Sequence, residues 1–309
     1  MTDLPKGVWP VMLTPFTQDG AIDWDGVDAI TNWYIDSGVA GLFAVCLSSE
    51  MYHLTEGERL ALSRRVVNCA NGRVPVAASG TFGETLDIKI DFVKQMADTG
   101  VDATVVLACQ MANQDEPESE WQKNVAYLLE ETSDLPLGLY ECPSPYHRVL
   151  SAEMLGWCAS AERFHFIKET SSEKSLNEAK IKAVSGSPLR YYKANTTLLL
   201  DSLQLGGDGY CGTAANYYPD LYVWLCHYHE SEPEMAAELQ RFMSVANYIV
   251  RHKYKTAAKQ FLNMIGLPIL PVCRDQEVEF KEDELTAFGH LKDLLEAQRD
   301  ALGILAPEL

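Results

Sequence analysis

Apolar and polar positions follow a regular rhythm along the first 230 residues, in which short β-rich runs alternate with longer stretches of helical spacing. The short runs are rich in Val, Leu, Phe and Tyr, as buried strands are. Between them apolar residues recur every three or four positions, which predicts amphipathic helices over 24–36, 56–70, 84–98 and 118–131. The short runs are VWPVMLTPF, GLFAVCLS, VPVAASGT, ATVVLACQM, PLGLYEC, FHFIKET, LRYYKAN and GYCGTAA.

The junctions between helical stretches and strands also repeat. DSGVAGLFAV, DTGVDATVVL and LGGDGYCGTA each place a glycine after a helix and a buried strand directly behind it. Eight strands, each followed by a helix, predict a closed (β/α)8 barrel. The main rival is an open doubly wound sheet, but the first strand–helix turn lacks the GxGxxG pattern of that fold.

The strand pattern stops at about residue 231, and the remaining sequence predicts helices over 232–251, 255–264 and 282–302. The stretch GLPILPVC between the last two is apolar, which is not typical of a flexible linker. We therefore predict an α/β protein, with a (β/α)8 TIM barrel over 1–230 and a C-terminal helical extension over 231–309.

Composition narrows the function classes. A formal charge of −19 argues against a nucleic-acid partner, because phosphates require basic surfaces. The sequence has no apolar run of about 18 residues, so no membrane-spanning helix is predicted. MTDLPKGVWP has neither the basic flank nor the apolar stretch of a signal peptide, which favours a cytoplasmic location. The eight cysteines show no CxxC spacing and are interpreted as reduced core residues.

Lys168 is the first candidate for chemistry, because it ends the apolar run FHFIK. Burial of an ammonium is costly, so the charge is usually paired or the proton lost. Lys168 could therefore extend to the surface, pair with Glu169, or be an amine that reacts. Barrel chemistry lies at the C-terminal ends of the strands, where Tyr140, Ser48 and Ser49 are also expected. A desolvated lysine beside a phenol and hydroxyls suits amine catalysis on a ketone.

Five motifs carry a resemblance to a known family. They are TPFTQDGAID (14–23), VCLSSE (45–50), YECP (140–143), IKETS (167–171) and GGDGYCGTAAN (206–216). In this order and spacing they make the chain resemble, from end to end, the dihydrodipicolinate synthase / N-acetylneuraminate lyase family of class I aldolases. The resemblance implies a Schiff-base enzyme with a small 2-keto acid substrate, no metal, no cofactor, and a homo-oligomeric state, either dimer or tetramer.

Carried over position by position, the resemblance implies that Lys168 forms an imine with a 2-keto acid. Tyr140 would relay protons, with Ser48 as its hydrogen-bond partner. Ser48 and Ser49 would hold the substrate carboxylate through side chain and backbone N–H. Cys211, at the end of the eighth strand, is a further substrate-binding candidate.

Glu141 and Lys193 are additional substrate-binding candidates at the strand ends. Glu141 stands where the family usually has asparagine, and Lys193 is expected across the barrel. Glu141 could bind a substrate hydroxyl. The two side chains could equally form a charge pair with each other.

Three departures from the family bear on the substrate. Cys46-Leu47-Ser48-Ser49 replaces a Gly-Thr-Thr-Gly turn, so both glycines are absent. Ser144-Pro145-Tyr146 occupies the stretch in which dihydrodipicolinate synthases place an arginine for the second substrate, and the nearest arginine is Arg148. Cys109-Gln110-Met111 replaces the Pro-Tyr-Tyr that supplies a tyrosine to the neighbouring subunit. Together these departures favour an aldolase or dehydratase for a 2-keto-3-deoxy sugar acid or similar 2-keto acid.

Other functions stay open at this point. One is an activity like that of dihydrodipicolinate synthase or N-acetylneuraminate lyase. Another is a catalytically weak relative that binds a keto acid. The altered CLSS turn is the observation that favours this alternative. A third is a zinc enzyme, because four cysteines fall near strand ends and thiolates bind zinc. These cysteines are Cys46, Cys109, Cys142 and Cys211.

Overall fold

The computed structural model describes residues 3–307. Within them eight parallel strands form one sheet, in the order β1-β8-β7-β6-β5-β4-β3-β2. The strands are β1 (Gly7–Val8), β2 (Leu42–Phe43), β3 (Val76–Ser79), β4 (Ala103–Leu107), β5 (Leu137–Tyr140), β6 (Phe164–Glu169), β7 (Arg190–Lys193) and β8 (Gly209–Tyr210).

Eleven α-helices within the same residues follow or connect the strands. They are α1 (Trp24–Asp36), α2 (Glu56–Ala70), α3 (Leu86–Ala97), α4 (Glu118–Glu131), α5 (Ala152–Ser160), α6 (Lys174–Val184), α7 (Leu199–Gln204), α8 (Pro219–Tyr228), α9 (Pro233–Arg251), α10 (Thr256–Ile265) and α11 (Glu282–Leu302). None of the helices within residues 3–307 is both long enough and apolar enough to cross a membrane.

The sheet closes on itself where β1 meets β2. Val11, just beyond β1, forms a parallel bridge with Phe43 of β2. Two backbone hydrogen bonds of 3.0 Å reinforce it, from Met12 N to Phe43 O and from Phe43 N to Pro10 O. Because β1 also pairs with β8, no edge is left open. The predicted (β/α)8 barrel is confirmed.

The strands are shorter than the apolar runs that predicted them. After β2 and β4 the chain turns into short 3₁₀ helices at Leu47–Ser49 and Ala108–Gln110. The residues in these turns are mostly buried, although they form no strand-to-strand hydrogen bonds of the sheet. Four helices, α1, α2, α4 and α11, match their predicted bounds. Two of them begin at a side-chain cap: Asp23 accepts a hydrogen bond from Gly26 N, and Thr55 forms a capping box at the start of α2.

An aromatic cluster fills the barrel interior beneath the strand ends. Phe166 contacts Trp9, Phe43 and Tyr192 with ring centroids 5.0 to 5.5 Å apart, in tilted and edge-on arrangements. Phe43 also lies edge-on to Tyr140, at 5.7 Å. This packing gives the strand-end side chains above it a rigid floor.

The three C-terminal helices pack against the barrel and share its apolar core. Met243 of α9, Phe261 of α10 and Leu291 of α11 belong to the same buried cluster as Val8 and Phe43. The division of the chain at residue 230 therefore remains an interpretation of the sequence, since barrel and extension bury one continuous core.

Candidate active site

The site begins with strand alternation in β5 and β6. Tyr140 and Lys168 are register partners on these neighbouring strands, and both point into the barrel. Because successive side chains of a strand face opposite sides, Glu141 and Glu169 point outward to the surrounding helices. At its end, each of the two strands thus directs one side chain into the barrel and the next one into the space between the strands and the helices.

Lys168 is almost completely enclosed, with 5% of the residue exposed. Its Nζ lies 3.4 Å from Tyr140 Oη, 4.4 Å from the centre of the Tyr140 ring and 6.0 Å from that of Phe43. Among residues 3–307 no carboxylate oxygen lies within the 4.0 Å of an ion pair with this amine. The alternative pairing of Lys168 with Glu169 is therefore not observed.

Tyr140 supplies a phenol beside this amine. Tyr140 is 2% exposed, and burial raises the pKa of its phenol well above its ordinary value. The phenol is thus neutral across the physiological range and offers both a donor and an acceptor. An amine and a neutral phenol in contact, shielded from bulk water, are a suitable pair for proton transfer at a carbonyl carbon.

A cavity of about 270 Å³ opens above the amine. This volume is below the usual range for drug-sized ligands and suits a small metabolite. No arginine lines the cavity within the described residues. The lining consists of Leu47, Ser48, Tyr140, Pro143, Lys168, Thr170, Ala194, Gly212, Thr213, Tyr254 and Lys255.

The structure separates the two serines of the CLSS turn. Ser48 lines the cavity, but its Oγ accepts a hydrogen bond from Tyr254 Oη at 2.8 Å, and no bond joins it to Tyr140. The Ser49 hydroxyl turns back on its own loop, where it accepts from Cys46 N and donates to Cys46 O, both at 2.7 Å. Ser49 N–H is also bonded to Cys46 O, so Ser49 lies outside the cavity lining and supports the turn.

Tyr254 and Lys255 were missed by the sequence reasoning. They lie between α9 and α10, in the C-terminal extension, and enter the cavity from outside the eight strand–helix units. Lys255 adopts positive φ, forms an ion pair with Asp275, and has its pKa lowered by burial. The sequence signal that could have found them is the HKYK stretch over 252–255, which places a tyrosine among basic residues. It lies beyond the eight strand–helix units, where no site residue was expected.

Glu141 and Lys193 do not reach the cavity, and they do not pair with each other. Glu141 Oε1 binds Lys180 Nζ at 2.6 Å, and the same Nζ binds Glu169 Oε1 at 3.0 Å. Glu169 also pairs with Lys193. The physical reason for this correction is strand alternation, because residues that follow inward-facing Tyr140 and Tyr192 must face the helices.

Four fully buried side chains form what we call the buried ion-pair layer: Glu141, Lys180, Glu169 and Lys193. Burial raises the pKa of Glu169 less than its two lysine partners lower it, so the value falls to about 2. Glu141 also accepts hydrogen bonds from the backbone N–H groups of Leu150 and Thr170 at 2.9 and 3.0 Å. The layer thus fixes the loops that follow β5 and β6.

Cys211 is fully buried and is not part of the cavity lining. Burial raises its pKa to about 12, although the nearby Lys168 acts in the opposite direction. The four strand-end cysteines do not form a metal-ligand group. Within residues 3–307 the one such group is Glu50, Cys273 and Asp275, where both carboxylates already pair with lysines.

Cys109 and Arg148, from the stretches that depart from the family pattern, do not line the cavity. Cys109 and Cys142 thiols both contact Ser144 O, at 3.2 and 3.3 Å. A hydrogen bond from Cys109 lowers the pKa of Cys142 to about 7. The Arg148 guanidinium donates to Asn113 O at 2.6 Å and to Glu116 O at 2.9 Å, both in the loop before α4.

Comparisons with known proteins agree with this architecture. The sequence pattern described as the dihydrodipicolinate synthetase family matches residues 4–296. The chain is 28% identical over 284 residues to a 4-hydroxy-tetrahydrodipicolinate synthase of Methanocaldococcus jannaschii, covering 88% of this chain and 94% of the relative.

Two solved structures show the same fold. YagE, a prophage protein of the dihydrodipicolinic acid synthase family from E. coli K12 in complex with pyruvate, superposes with a TM-score of 0.84 at 22% identity, covering 94% of this chain and 98% of that one. Dihydrodipicolinate synthase DapA-2 from Bacillus anthracis gives 0.83 at 23% identity, covering 96% and 99%. Because the family pattern spans nearly the whole sequence, this chain belongs to the dihydrodipicolinate synthetase family and is a class I aldolase or lyase.

Proposed function

We propose that this enzyme cleaves or dehydrates a small 2-keto acid, such as a 2-keto-3-deoxy sugar acid, through an imine on Lys168. The observation that carries the proposal is the contact of 3.4 Å between the unpaired Lys168 amine and Tyr140 Oη at the floor of the cavity. In this family an amine so placed has the position of the imine-forming lysine. Ser48 is then available to the substrate carboxylate.

The chemistry follows from the electron demand of the imine. The amine adds to the keto carbon, one proton passes from nitrogen to oxygen, a second is taken up, and the oxygen leaves as water. The protonated imine then accepts the electron pair of the C3–C4 bond, while the C4 hydroxyl loses its proton and becomes a carbonyl. Tyr140 is the group closest to these proton transfers, and its neutral phenol suits a relay.

The substrate class rests on what lines the cavity. Thr170, Thr213 and Lys255 add polar groups beyond the amine, which suit hydroxyls or a second anionic group. Arg148 is occupied by backbone carbonyls, so no arginine among the described residues replaces the one that binds aspartate semialdehyde in the synthases. These features support a keto-acid lyase over the synthase named for the relatives.

Borohydride trapping tests the covalent step. Incubation with pyruvate or 2-oxobutyrate, followed by reduction, should add the mass of the keto acid, less one oxygen atom, to the peptide that contains Lys168. A 2-keto-3-deoxy sugar acid that the enzyme cleaves should leave the adduct of pyruvate on the same peptide. Lys255 is the matched control, because it is the other lysine of the cavity lining. Lys168→Met should abolish the adduct and Lys255→Met should retain it. An adduct on Lys255, or none with any keto acid, contradicts the proposal.

Assembly and location remain proposals as well. We expect two or four copies of the chain to associate, as implied by the family resemblance, and sedimentation velocity measures this directly. A cytoplasmic location is supported by the thiols, since all eight cysteines are free. Fractionation of cells that express the protein tests it.

A further inference from the structure

Tyr254 reaches the cavity from a part of the chain that is not one of the eight barrel units. Its ring is partly buried, and its hydroxyl lies at the centre of a chain of hydrogen bonds. The chain runs from Tyr34 through Asn216 and Tyr254 to Ser48, and so ends on a residue that lines the same cavity as Lys168.

The direction of each hydrogen bond in this chain follows from one carbonyl. Val11 O is only an acceptor, and it lies 2.9 Å from the Asn216 side-chain nitrogen, which fixes the orientation of the amide. The same nitrogen donates to Tyr254 Oη at 2.6 Å, while Tyr34 Oη donates to the amide oxygen. Tyr254 Oη therefore accepts from one side, and its own proton is directed to Ser48 Oγ at 2.8 Å.

This direction determines what Ser48 can offer a ligand. Its oxygen already accepts from Tyr254, and within residues 3–307 its own proton has no hydrogen-bond acceptor. Ser48 is 4% exposed and borders the cavity, so the open direction for that proton is toward the cavity. A donor turned in advance toward an anion loses little free energy to reorientation when the anion binds.

We propose that Tyr254 is a positioning residue, which holds the Ser48 hydroxyl so that its proton points to the carboxylate of the 2-keto acid. The inference rests on the proposed function, because it takes the keto acid as the ligand of this cavity. Tyr254 acts through Ser48 and need not contact the reacting atoms. The C-terminal extension thereby contributes to substrate affinity.

A double-mutant cycle tests this coupling. The readout is the pyruvate concentration that gives half-maximal borohydride trapping, which requires no turnover. Tyr254→Phe should raise this concentration about five- to ten-fold, the usual effect of one lost hydrogen bond, and Ser48→Ala should raise it similarly. The double variant should be no weaker than Ser48→Ala alone, because Tyr254 has no effect once its acceptor is gone.

Tyr217→Phe is the matched control. Tyr217 also lies in this region with a buried hydroxyl, but it donates to Val250 O at 3.2 Å and lies outside the cavity lining. Its loss should leave half-maximal trapping unchanged. If the effects of Tyr254→Phe and Ser48→Ala multiply, or if Tyr254→Phe has no effect, this inference is wrong while the trapped Lys168 adduct still supports the proposed function. Failure of the wild type to trap any keto acid overturns both.

Discussion

Removal of the Lys180 ammonium should show how much the buried ion-pair layer contributes to the free energy of unfolding. In the native protein two carboxylates and two ammonium groups balance, and none of them reaches solvent. Lys180→Met keeps most of the side-chain volume but leaves one uncompensated negative charge. Glu169 retains Lys193, so the unpaired group is Glu141, which keeps only its backbone donors.

Loss of one partner from a buried ion pair typically destabilises a protein by about 3–5 kcal/mol. With an unfolding entropy of roughly 2.1 cal/mol/K per residue, that cost lowers the Tm of a protein of this length by about 5–8 °C. Thermal unfolding followed by circular dichroism measures it. Lys182→Met, an exposed lysine two residues along the same helix, should change the free energy of unfolding by less than about 0.5 kcal/mol.

The loss of stability caused by Lys180→Met should also depend on pH, and it should be larger at high pH. Burial already raises the pKa of Glu141 in the native protein, and loss of Lys180 raises it further. A carboxyl with a folded pKa above its unfolded value stabilises the fold below the unfolded pKa and loses that contribution as pH rises through the folded pKa. Lys180→Met should therefore be closer to wild type at pH 5 than at pH 8.

Glu141→Gln is the compensating change, because it removes the orphaned charge. The Lys180→Met/Glu141→Gln protein should recover most of the lost stability. The reasoning is refuted if Lys180→Met costs less than about 1 kcal/mol, or if the double variant is less stable than the single one.

Three further predictions concern turnover, substrate choice and acid stability. Tyr140→Phe should retain borohydride trapping but lower kcat on an accepted keto acid by about 10²- to 10⁴-fold in steady-state assays, and near wild-type turnover would require another relay. Condensation of pyruvate with aspartate semialdehyde should be negligible, because Pro145 stands in the stretch of the expected arginine; complementation of a lysine auxotroph at ordinary expression would contradict this. A hydrogen bond from Arg274 lowers the pKa of Glu58 to about 2, so its stabilisation is complete above pH 4.5 and fades toward pH 2. Between pH 4.5 and pH 2, the free energy of unfolding from urea titrations should thus fall by about 1–2 kcal/mol more for wild type than for Glu58→Gln. Equal falls in the two proteins would show that the ion pair is too solvated to contribute.

The sequence predicted the barrel well because each unit carries its own local signals. A capping box sets the start of the helix over 56–70, and the run that forms β6 is mostly apolar up to Lys168. Such signals act within a few residues and need no tertiary information. Motif spacing then placed Lys168 and Tyr140 on neighbouring strands, and the structure brings them into contact.

The errors at the site have two different origins. Alternation along β5 and β7 was sufficient to exclude Glu141 and Lys193 from the interior, since their neighbours Tyr140 and Tyr192 point inward. Lys180 could not be found in this way. It is one of several lysines on α6, and its burial depends on how that helix packs against β6. Long-range contacts of this kind leave no local pattern.

The residue after the CLSS turn, Glu50, joins that turn to the C-terminal extension. Glu50 ends that turn in the left-handed conformation, with φ of 60°, which costs a residue other than glycine of order 1 kcal/mol. Its carboxylate accepts from Lys259 Nζ at 2.9 Å and from the backbone N–H of Arg274 and Asp275 at 2.6 and 3.1 Å. Three charge-assisted bonds offset this strain, and all three donors belong to the C-terminal extension. The turn that carries Ser48 and the segment that carries Tyr254 are therefore fixed to each other, which is the geometry that their hydrogen bond requires.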